Sequence, residues 1–239
     1  MKAVVLAAGE GTRLRPKTDD RPKPLVEVAG KPILSYCFET LLDLGVTEAV
    51  VVVGYEKAKI IDRYGDAYGD LALDYAHQPE RKGLAHAVLM AEPFVDDDFL
   101  VLNGDNIYRG NLAAVLDRHA ETDAEITFPV DDVSPEAAKG GAVCEFDDEG
   151  NVIGLVEKPD TPPSTTVPMA AYVLPPEIFS ACALVQPSAR GEYELPDAID
   201  LLLYAGYQAE TVPFEGWKQN INTPADIDHA ASRLADDSS

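Results

Sequence analysis

Continuous apolar runs alternate with amphipathic stretches along the chain, and this alternation predicts strands followed by helices. Residues 3–7 (AVVLA) and 49–53 (AVVVV) are uninterrupted apolar runs of strand length, as expected for parallel strands covered on both faces. Between them, the apolar residues of 33–42 recur at helical spacing, and Gly45 can end that helix. The start of the chain therefore predicts a strand–helix–strand unit.

The same alternation continues to about residue 130 and then changes. Up to that point the pattern predicts helices at 55–64, 83–92 and 111–121 and strands at 71–76, 98–102 and 124–130. After it, VCEFDDEGNVIGLVEKP predicts a hairpin with a DDEGN turn. A Pro/Thr/Ser loop at 159–168, a strand MAAYVL, helices near 175–185, 194–205 and 224–235, and a strand at 207–214 complete the prediction.

These elements favour an α/β fold with a doubly wound, mostly parallel, Rossmann-like sheet. We expect a single domain over 1–239, with a first half at 1–130 and a second half at 131–239 that carries the hairpin and closes over a site. In such sheets ligands bind outside the carboxyl ends of the strands. Residues that directly follow strands therefore matter most.

The charge of the chain excludes some functions. The 239 residues contain 19 Lys and Arg against 42 Asp and Glu, a formal charge of −23, which argues against nucleic acid as a partner. With 46% hydrophobic residues the chain is not intrinsically disordered. An acidic excess with few lysines is typical of a halophile-like, solvated surface adapted to high salt.

Cysteine usage and hydropathy indicate a cytoplasmic protein with no membrane partner. Cys37, Cys144 and Cys182 form no CxxC pair, so we expect three buried thiols in a reducing compartment. No stretch approaches the roughly 18 apolar residues that a membrane span needs.

The acidity is not uniform. Residues 1–31 hold seven basic and four acidic side chains, a net charge of +3, whereas the remaining 208 residues carry −26. This basic segment includes Gly9 and Gly11, which directly follow the first predicted strand. Glycines there let backbone N–H groups approach a phosphate, and Arg13 adds forked donors. The loop is neither a Walker loop nor a dinucleotide fingerprint, because GK followed by Ser or Thr is absent and Leu14 stands at the third glycine position.

Prolines make the segment after the loop stiff. Pro16, Pro22, Pro24 and Pro32 prevent a helix, so Arg13, Arg15 and Lys23 are predicted to be displayed on a rigid loop. The alternative is a tight turn followed by a solvated basic loop.

The segment AAGEGTRLRPKTDDRPKPLVEVAGKPIL resembles the signature of the sugar-1-phosphate nucleotidyltransferases, in particular the glucose-1-phosphate thymidylyl- and uridylyltransferase branch. HQPERKGLAHA, LNGDN, VEKP, ARGEYE and NINTPADI also match family motifs, in the family's order. The resemblance implies attack of a sugar-1-phosphate oxygen on the α-phosphorus of a nucleoside triphosphate, with release of pyrophosphate and with Mg²⁺ as cofactor. It also implies that the first half binds the nucleotide and the second half the sugar.

The resemblance assigns roles to residues of the first half. Arg13 contacts the leaving pyrophosphate, Lys23 stabilises charge on the phosphates, and Asp105, after the strand FLVL, is a catalytic metal ligand. The nucleotide-binding residues it implies are Leu6, Ala8, Gly9, Gly11, Thr12, Gln78 and Gly83. Of these, Gln78 and Gly83 match positions that read a pyrimidine edge.

The second metal ligand departs from the family pattern. Where the family most often has an Asp near a C-terminal Trp, WKQNINTPADI offers Asn220 and Asn222. Either Asn can serve as a neutral oxygen ligand, which predicts weaker metal binding. Alternatively, Asn222 only caps the helix that begins near Pro224.

For the sugar phosphate, Glu157 and Lys158 of VEKP and Arg190 of ARGEYE are the candidates that the resemblance implies. Their alternative interpretation is a charge pair at a strand end. Other departures concern the sugar: Gly141 and Ala142 replace a Tyr-Gly pair, and Ala170 replaces a glycine. An added methyl group in a sugar pocket can shift specificity, so the identity of the sugar stays open.

We therefore predict an enzyme that makes a UDP- or dTDP-sugar, with glucose 1-phosphate as the first candidate and small molecules as partners. Two alternatives stay open: a non-catalytic nucleotide-sugar-binding regulatory subunit of the same fold, and a transferase that uses another base or phosphorylated acceptor. The oligomeric state also stays open: relatives of this family assemble into homo-oligomers, but the sequence contains no coiled-coil pattern or repeat.

Overall fold

A computed structural model describes residues 1–237 of the chain. They form two compact units that are each discontinuous in sequence. The N-terminal unit comprises Lys2–Arg81, Leu102–Gly110 and the residues from Gly216 onward. The central unit comprises Met1, Lys82–Val101 and Asn111–Glu215. The predicted division at residue 130 concerns function, and it stays a prediction.

The N-terminal unit is built on parallel strands. Strand β4 (Glu48–Val53) pairs in parallel with β1 (Lys2–Ala7) and with β6 (Leu71–His77), so the three strands end at the same edge. The apolar runs of β1 and β4 are buried along almost their whole length, as predicted for strands with two covered faces. The other strands of this unit are β2 (Glu27–Val28), β3 (Lys31–Pro32), β5 (Ala67–Tyr68), β8 (Asn106–Gly110) and β15 (Gly216–Asn220), and its helices are α1 (Ile33–Asp43), α2 (Lys57–Tyr64) and α8 (Pro224–Asp236).

One hydrophobic cluster of this unit joins segments that are far apart in sequence. Leu14 lies beside Arg13, Ile107 lies two residues after Asp105, and Ile221 separates Asn220 from Asn222, and all three side chains are fully buried in this cluster. Burial of such side chains contributes about 2 kcal/mol each. The cluster therefore fixes three segments that carry candidate site residues; its other fully or mostly buried members are Val26, Val28, Ile33, Tyr36, Trp217, Ile227 and Ala230.

The central unit combines a mixed sheet with a hairpin. Strand β9 (Ile126–Asp132) pairs antiparallel with β12 (Thr166–Pro168) and β13 (Ala171–Leu174) and parallel with β14 (Ala209–Pro213). The hairpin consists of β10 (Ala142–Phe146) and β11 (Val152–Glu157). The helices of the central unit are α3 (Leu84–Leu89), α4 (Ala113–Glu121), α5 (Pro135–Ala138), α6 (Ile178–Leu184) and α7 (Leu195–Tyr204). Strand β7 (Phe99–Asn103) begins in the central unit and ends in the N-terminal unit.

The α/β class, the large and mostly parallel central sheet and the hairpin at the DDEGN turn confirm the predicted fold class. Asp147 closes that turn, because its Oδ1 accepts hydrogen bonds from the backbone N–H groups of Glu149 and Asn151 at 2.9 and 2.8 Å. No helix within residues 1–237 is long and apolar enough to cross a membrane. Cys37, Cys144 and Cys182 are free and buried, as predicted, and burial raises the pKa of the Cys144 and Cys182 thiols to about 12.

Several local predictions were wrong. The predicted helix at 83–92 ends at Leu89, and the loop predicted at 159–168 contains strand β12. The predicted strand MAAYVL starts only at Ala171, because Ala170 has a φ of +56°, which no strand residue adopts. The short antiparallel pair of β8 and β15 was not predicted at all.

Candidate active site

The glycine loop after β1 packs tightly against the segment that contains Lys23. Gly11 has a φ of +73°, and a Cβ atom there would lie 2.8 Å from Cβ of Lys23 and 3.1 Å from Cγ2 of Thr18. Both the backbone angle and the lack of space therefore require glycine. The Thr18 hydroxyl also donates to the Gly11 carbonyl at 2.9 Å, which holds the loop in place.

Lys23 is not displayed on the loop, and that prediction was wrong. Lys23 is only 6% exposed, and its ammonium donates to Asp105 Oδ2 at 2.7 Å and to Asn222 Oδ1 at 2.8 Å. Asn222 Oδ1 also accepts from Arg13 Nη2 at 2.9 Å. We call Arg13, Lys23, Asp105 and Asn222 the lysine–aspartate cluster. It brings together side chains that lie up to 209 positions apart in the sequence.

Backbone pairing explains why Asp105 and Asn222 meet. Asp105 lies in the turn between β7 and β8, and the N–H of Gly104 in that turn donates to the Leu6 carbonyl of β1 at 2.9 Å. Strand β15 pairs with β8, and the N–H of Ile221 donates to the Asp105 carbonyl at 2.9 Å. The end of β15 is thus fixed beside Asp105.

Asn222 is held in place but is not a helix cap. Thr223 caps α8, and Asp226 completes a capping box with it. Asp226 Oδ2 also accepts from the N–H groups of Asn222 and Thr223, at 2.9 and 2.7 Å. Partial burial alone would raise the pKa of Asp226, but these hydrogen bonds outweigh it and lower the pKa below its usual range. The side chain of Asn222 is therefore left for other partners.

The residues fit a hard cation such as Mg²⁺, which prefers oxygen ligands. Asp105 and Asn222 direct oxygens at one common point, at present the Lys23 ammonium. Asn220 Oδ1 is buried and has no hydrogen-bond partner among the described residues. Residues 1–237 contain no group of three or more His, Cys, Asp or Glu that could hold a metal, so amide oxygens would have to complete the ligand set. Asp105, Asn220 and Asn222 stay the predicted ligands.

Sequence reasoning missed a second set of charges at the glycine loop. Glu10 lies between Gly9 and Gly11, and its Oε1 accepts from Arg15 Nη2 at 3.1 Å. Its Oε2 lies 2.6 Å from Arg81 Nη1. The sequence signal available was an acidic residue inside a basic segment.

The other nucleotide-binding candidates lie in both units. In the N-terminal unit, Leu6 and Ala8 are each 7% exposed at the end of β1, Thr12 is exposed in a 3-10 turn, and Gln78 is 4% exposed directly after β6. In the central unit, Gly83 has a φ of +109°, and a Cβ there would collide with the backbone of Tyr193. The structure explains why Gly83 must be glycine, and the base-reading role stays a prediction.

The three sugar-phosphate candidates are together in the central unit. Arg190 Nη2 donates to Glu157 Oε1 at 3.0 Å and to Glu194 Oε1 at 2.6 Å, and Lys158 Nζ lies 3.3 Å from Glu157 Oε1. Glu194 is 4% exposed and also accepts from the Ser188 hydroxyl at 2.9 Å. We call Glu157, Lys158, Arg190 and Glu194 the arginine–glutamate cluster. Sequence reasoning did not single out Glu194.

Arg190 is not an unpaired cation waiting for a phosphate, because its guanidinium already donates to two carboxylates. Partial burial alone would lower the pKa of its guanidinium, but Glu194 and Glu157 raise it above the ordinary value. Lys158 has one carboxylate neighbour and a left-handed backbone with a φ of +46°. Lys158 therefore pairs with fewer carboxylates than Arg190 does.

A glycine loop follows a parallel strand in the N-terminal unit, and beside it buried and exposed cations meet the side-chain oxygens of Asp105 and Asn222. These features define the class of α/β proteins that bind phosphorylated ligands.

The particular family follows from comparison with known proteins. The family described as nucleotidyl transferase matches residues 2–233, and the chain therefore belongs to it. It is 49% identical over 237 residues to UTP--glucose-1-phosphate uridylyltransferase AglF of Haloferax volcanii, which covers 99% of this chain and 98% of that protein. It is 37% identical to a glucose-1-phosphate thymidylyltransferase of Streptomyces antibioticus, over 95% of this chain and 64% of that one. The predicted resemblance to this branch is confirmed.

Solved structures confirm the fold. An apo UDP-glucose pyrophosphorylase superimposes with a TM-score of 0.89, at 21% identity, with all of both chains covered. A UTP-bound UGPase from Acinetobacter baumannii gives a TM-score of 0.86 at 24% identity, and the match covers 98% of this chain and 92% of that one. At this identity the likeness establishes the architecture of the chain.

Proposed function

We propose that this protein transfers a uridylyl or thymidylyl group from UTP or dTTP to a sugar 1-phosphate, with glucose 1-phosphate as the first candidate. The products are a nucleotide sugar and pyrophosphate. The observation that carries the proposal is the lysine–aspartate cluster beside the glycine loop, in a family of nucleotidyl transferases. Its relative AglF is named for transfer from UTP to glucose 1-phosphate, which supports the choice of substrates.

The reaction forms a bond between a sugar-phosphate oxygen and the α-phosphorus, and breaks the bond from that phosphorus to the bridging oxygen of pyrophosphate. Both reactants are anions, so the protein must hold them in line and offset their repulsion. The glycine loop offers backbone N–H groups, and Arg13, an exposed residue that uses one N–H donor on Asn222, offers its other guanidinium donors to the leaving pyrophosphate. The basic segment thus meets the charge of the triphosphate.

Lys23 can serve the phosphates without leaving the cluster. An ammonium has three N–H donors, and Lys23 uses two of them on Asp105 and Asn222. The third donor is left for a phosphate oxygen. Because Lys23 is buried, water screens its charge little, and its electrostatic interaction with a phosphate is correspondingly strong. This geometry supports Lys23 as the group that neutralises charge developing on the transferred phosphoryl.

Asp105, together with Asn222 or Asn220, would hold Mg²⁺, which when bound supplies charge neutralisation and orients phosphate oxygens. With one carboxylate and neutral amides, we expect weak metal binding in the absence of nucleotide. Tighter binding would require oxygens from the substrate.

In the central unit we assign Glu157 to a sugar hydroxyl and Lys158 to the sugar phosphate, as the family resemblance implies. A carboxylate accepts hydrogen bonds from hydroxyls, and the Lys158 side chain is 39% exposed with one carboxylate neighbour, Glu157. Arg190 also belongs to this site, although its guanidinium already pairs with two carboxylates.

We also propose a cytoplasmic enzyme that works at high salt. The charge of −23 and three buried free thiols support a reducing and saline compartment.

A substrate panel tests the proposal. Pyrophosphate release is measured for four nucleoside triphosphates with several sugar 1-phosphates, with and without Mg²⁺, at low and at molar salt. We expect turnover with UTP or dTTP and glucose 1-phosphate, dependence on Mg²⁺ and more activity at molar salt. Nucleotide-sugar binding without turnover under every condition would instead indicate a regulatory subunit, and a preference for GTP or CTP would overturn the choice of base.

A further inference from the structure

Glu10 is an acidic side chain in the loop that we propose binds a triphosphate. It stands between Gly9 and Gly11, where the backbone N–H groups are expected to face an anion. A carboxylate at this position would repel that anion unless cations offset its charge. Its side chain is 16% exposed, so water screens it only partly.

Two arginines from different loops meet this carboxylate, one at each oxygen. Arg15 Nη2 donates to Oε1 at 3.1 Å, and Arg81 Nη1 lies 2.6 Å from Oε2. Arg15 follows the loop after β1, whereas Arg81 lies in the loop after β6. Because β1, β4 and β6 are parallel, both loops leave the sheet at the edge where ligands bind.

The charges of the three side chains leave a surplus. Two guanidinium groups and one carboxylate give a net charge of +1, whereas Glu10 alone would place −1 in the loop. Arg15 Nε also lies 3.7 Å from Oδ1 of Asp19, but that carboxylate is 61% exposed, so water screens its charge more than that of Glu10. Each guanidinium has five N–H donors, and the pairing with Glu10 uses only a fraction of them. The side chains of Arg15 and Arg81 are 59% and 55% exposed, so their other donors can reach a ligand in solution.

Without an anchor, these arginines would be poor ligands. A long, more than half-exposed side chain loses conformational entropy when it is fixed on a ligand. An anchor that fixes both guanidinium groups beforehand removes part of this cost from ligand binding. Glu10 is the carboxylate that contacts both guanidinium groups, whereas Asp19 contacts Arg15 alone.

We propose that Glu10 is a positioning residue, which holds Arg15 and Arg81 as a pair that binds the terminal phosphates of the nucleoside triphosphate and the pyrophosphate that leaves. This inference rests on the proposed function, because it names a role within the triphosphate site. It adds three residues to that site, and none of them takes part in bond formation.

The test compares three ligands with Glu10→Gln, in which the side chain keeps its size but loses its charge. Dissociation constants of pyrophosphate, UTP and UMP are measured by calorimetry at one fixed salt concentration. We expect pyrophosphate and UTP to bind about tenfold more weakly, the size expected for losing one hydrogen bond to a charged group. UMP, which has no terminal phosphates, should change less than about twofold.

A matched control and a second variant make the result specific. Glu39→Gln removes a carboxylate of the same unit that pairs with Lys31 at 2.8 Å, and it should leave all three affinities unchanged. Arg81→Gln should weaken pyrophosphate binding as Glu10→Gln does, and the double variant should lose less than the two single losses combined.

The opposite sign would overturn the inference. If Glu10→Gln binds pyrophosphate more tightly, Glu10 acts only as a repelling charge. If UMP weakens as much as UTP, Glu10 has a general structural role. These measurements need no turnover: a pyrophosphate effect in a chain inactive with every triphosphate would refute the proposed function and leave the role of Glu10 intact.

Discussion

The lysine–aspartate cluster and the arginine–glutamate cluster contain similar residues but use their charges differently. In the first, Arg13 and Lys23 share the neutral oxygen of Asn222, and Asp105 is the one carboxylate among its four residues. In the second, Arg190 and Lys158 face the two carboxylates of Glu157 and Glu194. The first cluster therefore has a net charge of +1, and the second is neutral.

The difference shows how a change from acid to amide sets what a site can bind. An amide accepts hydrogen bonds from cations without cancelling their charge, so the first cluster retains positive charge for a polyanion. Two carboxylates fix a guanidinium in position and offset its positive charge. Such an arrangement suits a site for hydroxyl groups and a single phosphate. Mutations in and beside the two clusters test this contrast.

Replacing Asp105 with Asn should have the largest effect. This change removes the only carboxylate of the lysine–aspartate cluster and with it the charged metal ligand. We expect the rate of pyrophosphate release to fall at least about 100-fold, the typical loss when one charge-stabilising group is removed. Circular dichroism and thermal unfolding should show an intact fold.

The exposed Asp62 of α2 provides the control. Asp62→Asn should keep nearly normal turnover, because it removes the same charge from the same unit away from the cluster. Near-normal turnover of Asp105→Asn would refute the metal assignment.

Replacing Lys23 with Ala should separate catalysis from metal binding. Transfer should fall at least about 100-fold, whereas Lys17→Ala, which removes an exposed lysine, should stay within about threefold. In nucleotide-free protein, Mn²⁺ should bind about tenfold more tightly to Lys23→Ala, because the ammonium that shares the oxygens of Asp105 and Asn222 is gone. Electron paramagnetic resonance of Mn²⁺ measures this affinity.

Equal losses of transfer in the two lysine variants would mean that the basic segment attracts substrate only diffusely. Weaker Mn²⁺ binding by Lys23→Ala would show that the ammonium does not compete for these oxygens.

In the arginine–glutamate cluster, the two cations should behave differently. Lys158→Met should raise KM for the sugar 1-phosphate about tenfold, because it removes the less engaged cation. Arg190→Met should instead lower the free energy of unfolding by about 1–3 kcal/mol, since it leaves the buried Glu194 carboxylate with less compensation. Initial rates and urea unfolding provide the two readouts.

Lys139, which forms an exposed ion pair with Glu136, supplies a control for the loss of an ion pair. Lys139→Met should change neither quantity noticeably. A larger KM effect for Arg190→Met than for Lys158→Met would mean that Arg190 releases its carboxylates to bind the phosphate.

Local patterns predicted the parts of the site that depend on neighbouring residues. An apolar run followed by glycines located the loop at Gly9, and the run FLVL located Asp105 at a strand end. Both signals are local because a buried parallel strand needs a continuous apolar stretch.

What the sequence did not reveal depends on distant partners. Lys23 was predicted to be exposed, since burying an ammonium is costly. Its burial becomes favourable through Asp105 and Asn222, which lie 82 and 199 positions away in the sequence. The pairing of Glu10 with Arg81 and of β8 with β15 likewise joins segments that no local pattern connects. Ala170 interrupts a predicted strand because its φ is positive, and an alanine in the sequence gives no indication of a positive φ.

The smallest predicted effect concerns excess acidity beside the arginine–glutamate cluster. Partial burial and the charges of Glu194 and Glu157 raise the pKa of Asp197 above its usual value. The native state therefore holds this proton more tightly than the unfolded chain, so the ionised carboxylate destabilises the fold once the pH exceeds the unfolded pKa of about 3.9. Asp197→Asn should accordingly be more stable than the natural protein at neutral pH, and this advantage should vanish as the pH falls below that value.

Asp147, in the same unit, provides a control of opposite sign. Hydrogen bonds from the Asn151 side chain and from backbone N–H groups lower its pKa, so its ionised form stabilises the fold above the unfolded pKa. Asp147→Asn should be less stable at neutral pH, and this deficit should close as the pH falls through the lowered pKa. Urea unfolding from about pH 2 to 8, a range that extends well below the unfolded pKa of about 3.9, measures both curves. If the two variants shifted stability in the same direction, or by an amount independent of pH, neither the carboxylates beside Asp197 nor the hydrogen bonds to Asp147 would govern the stability of these groups.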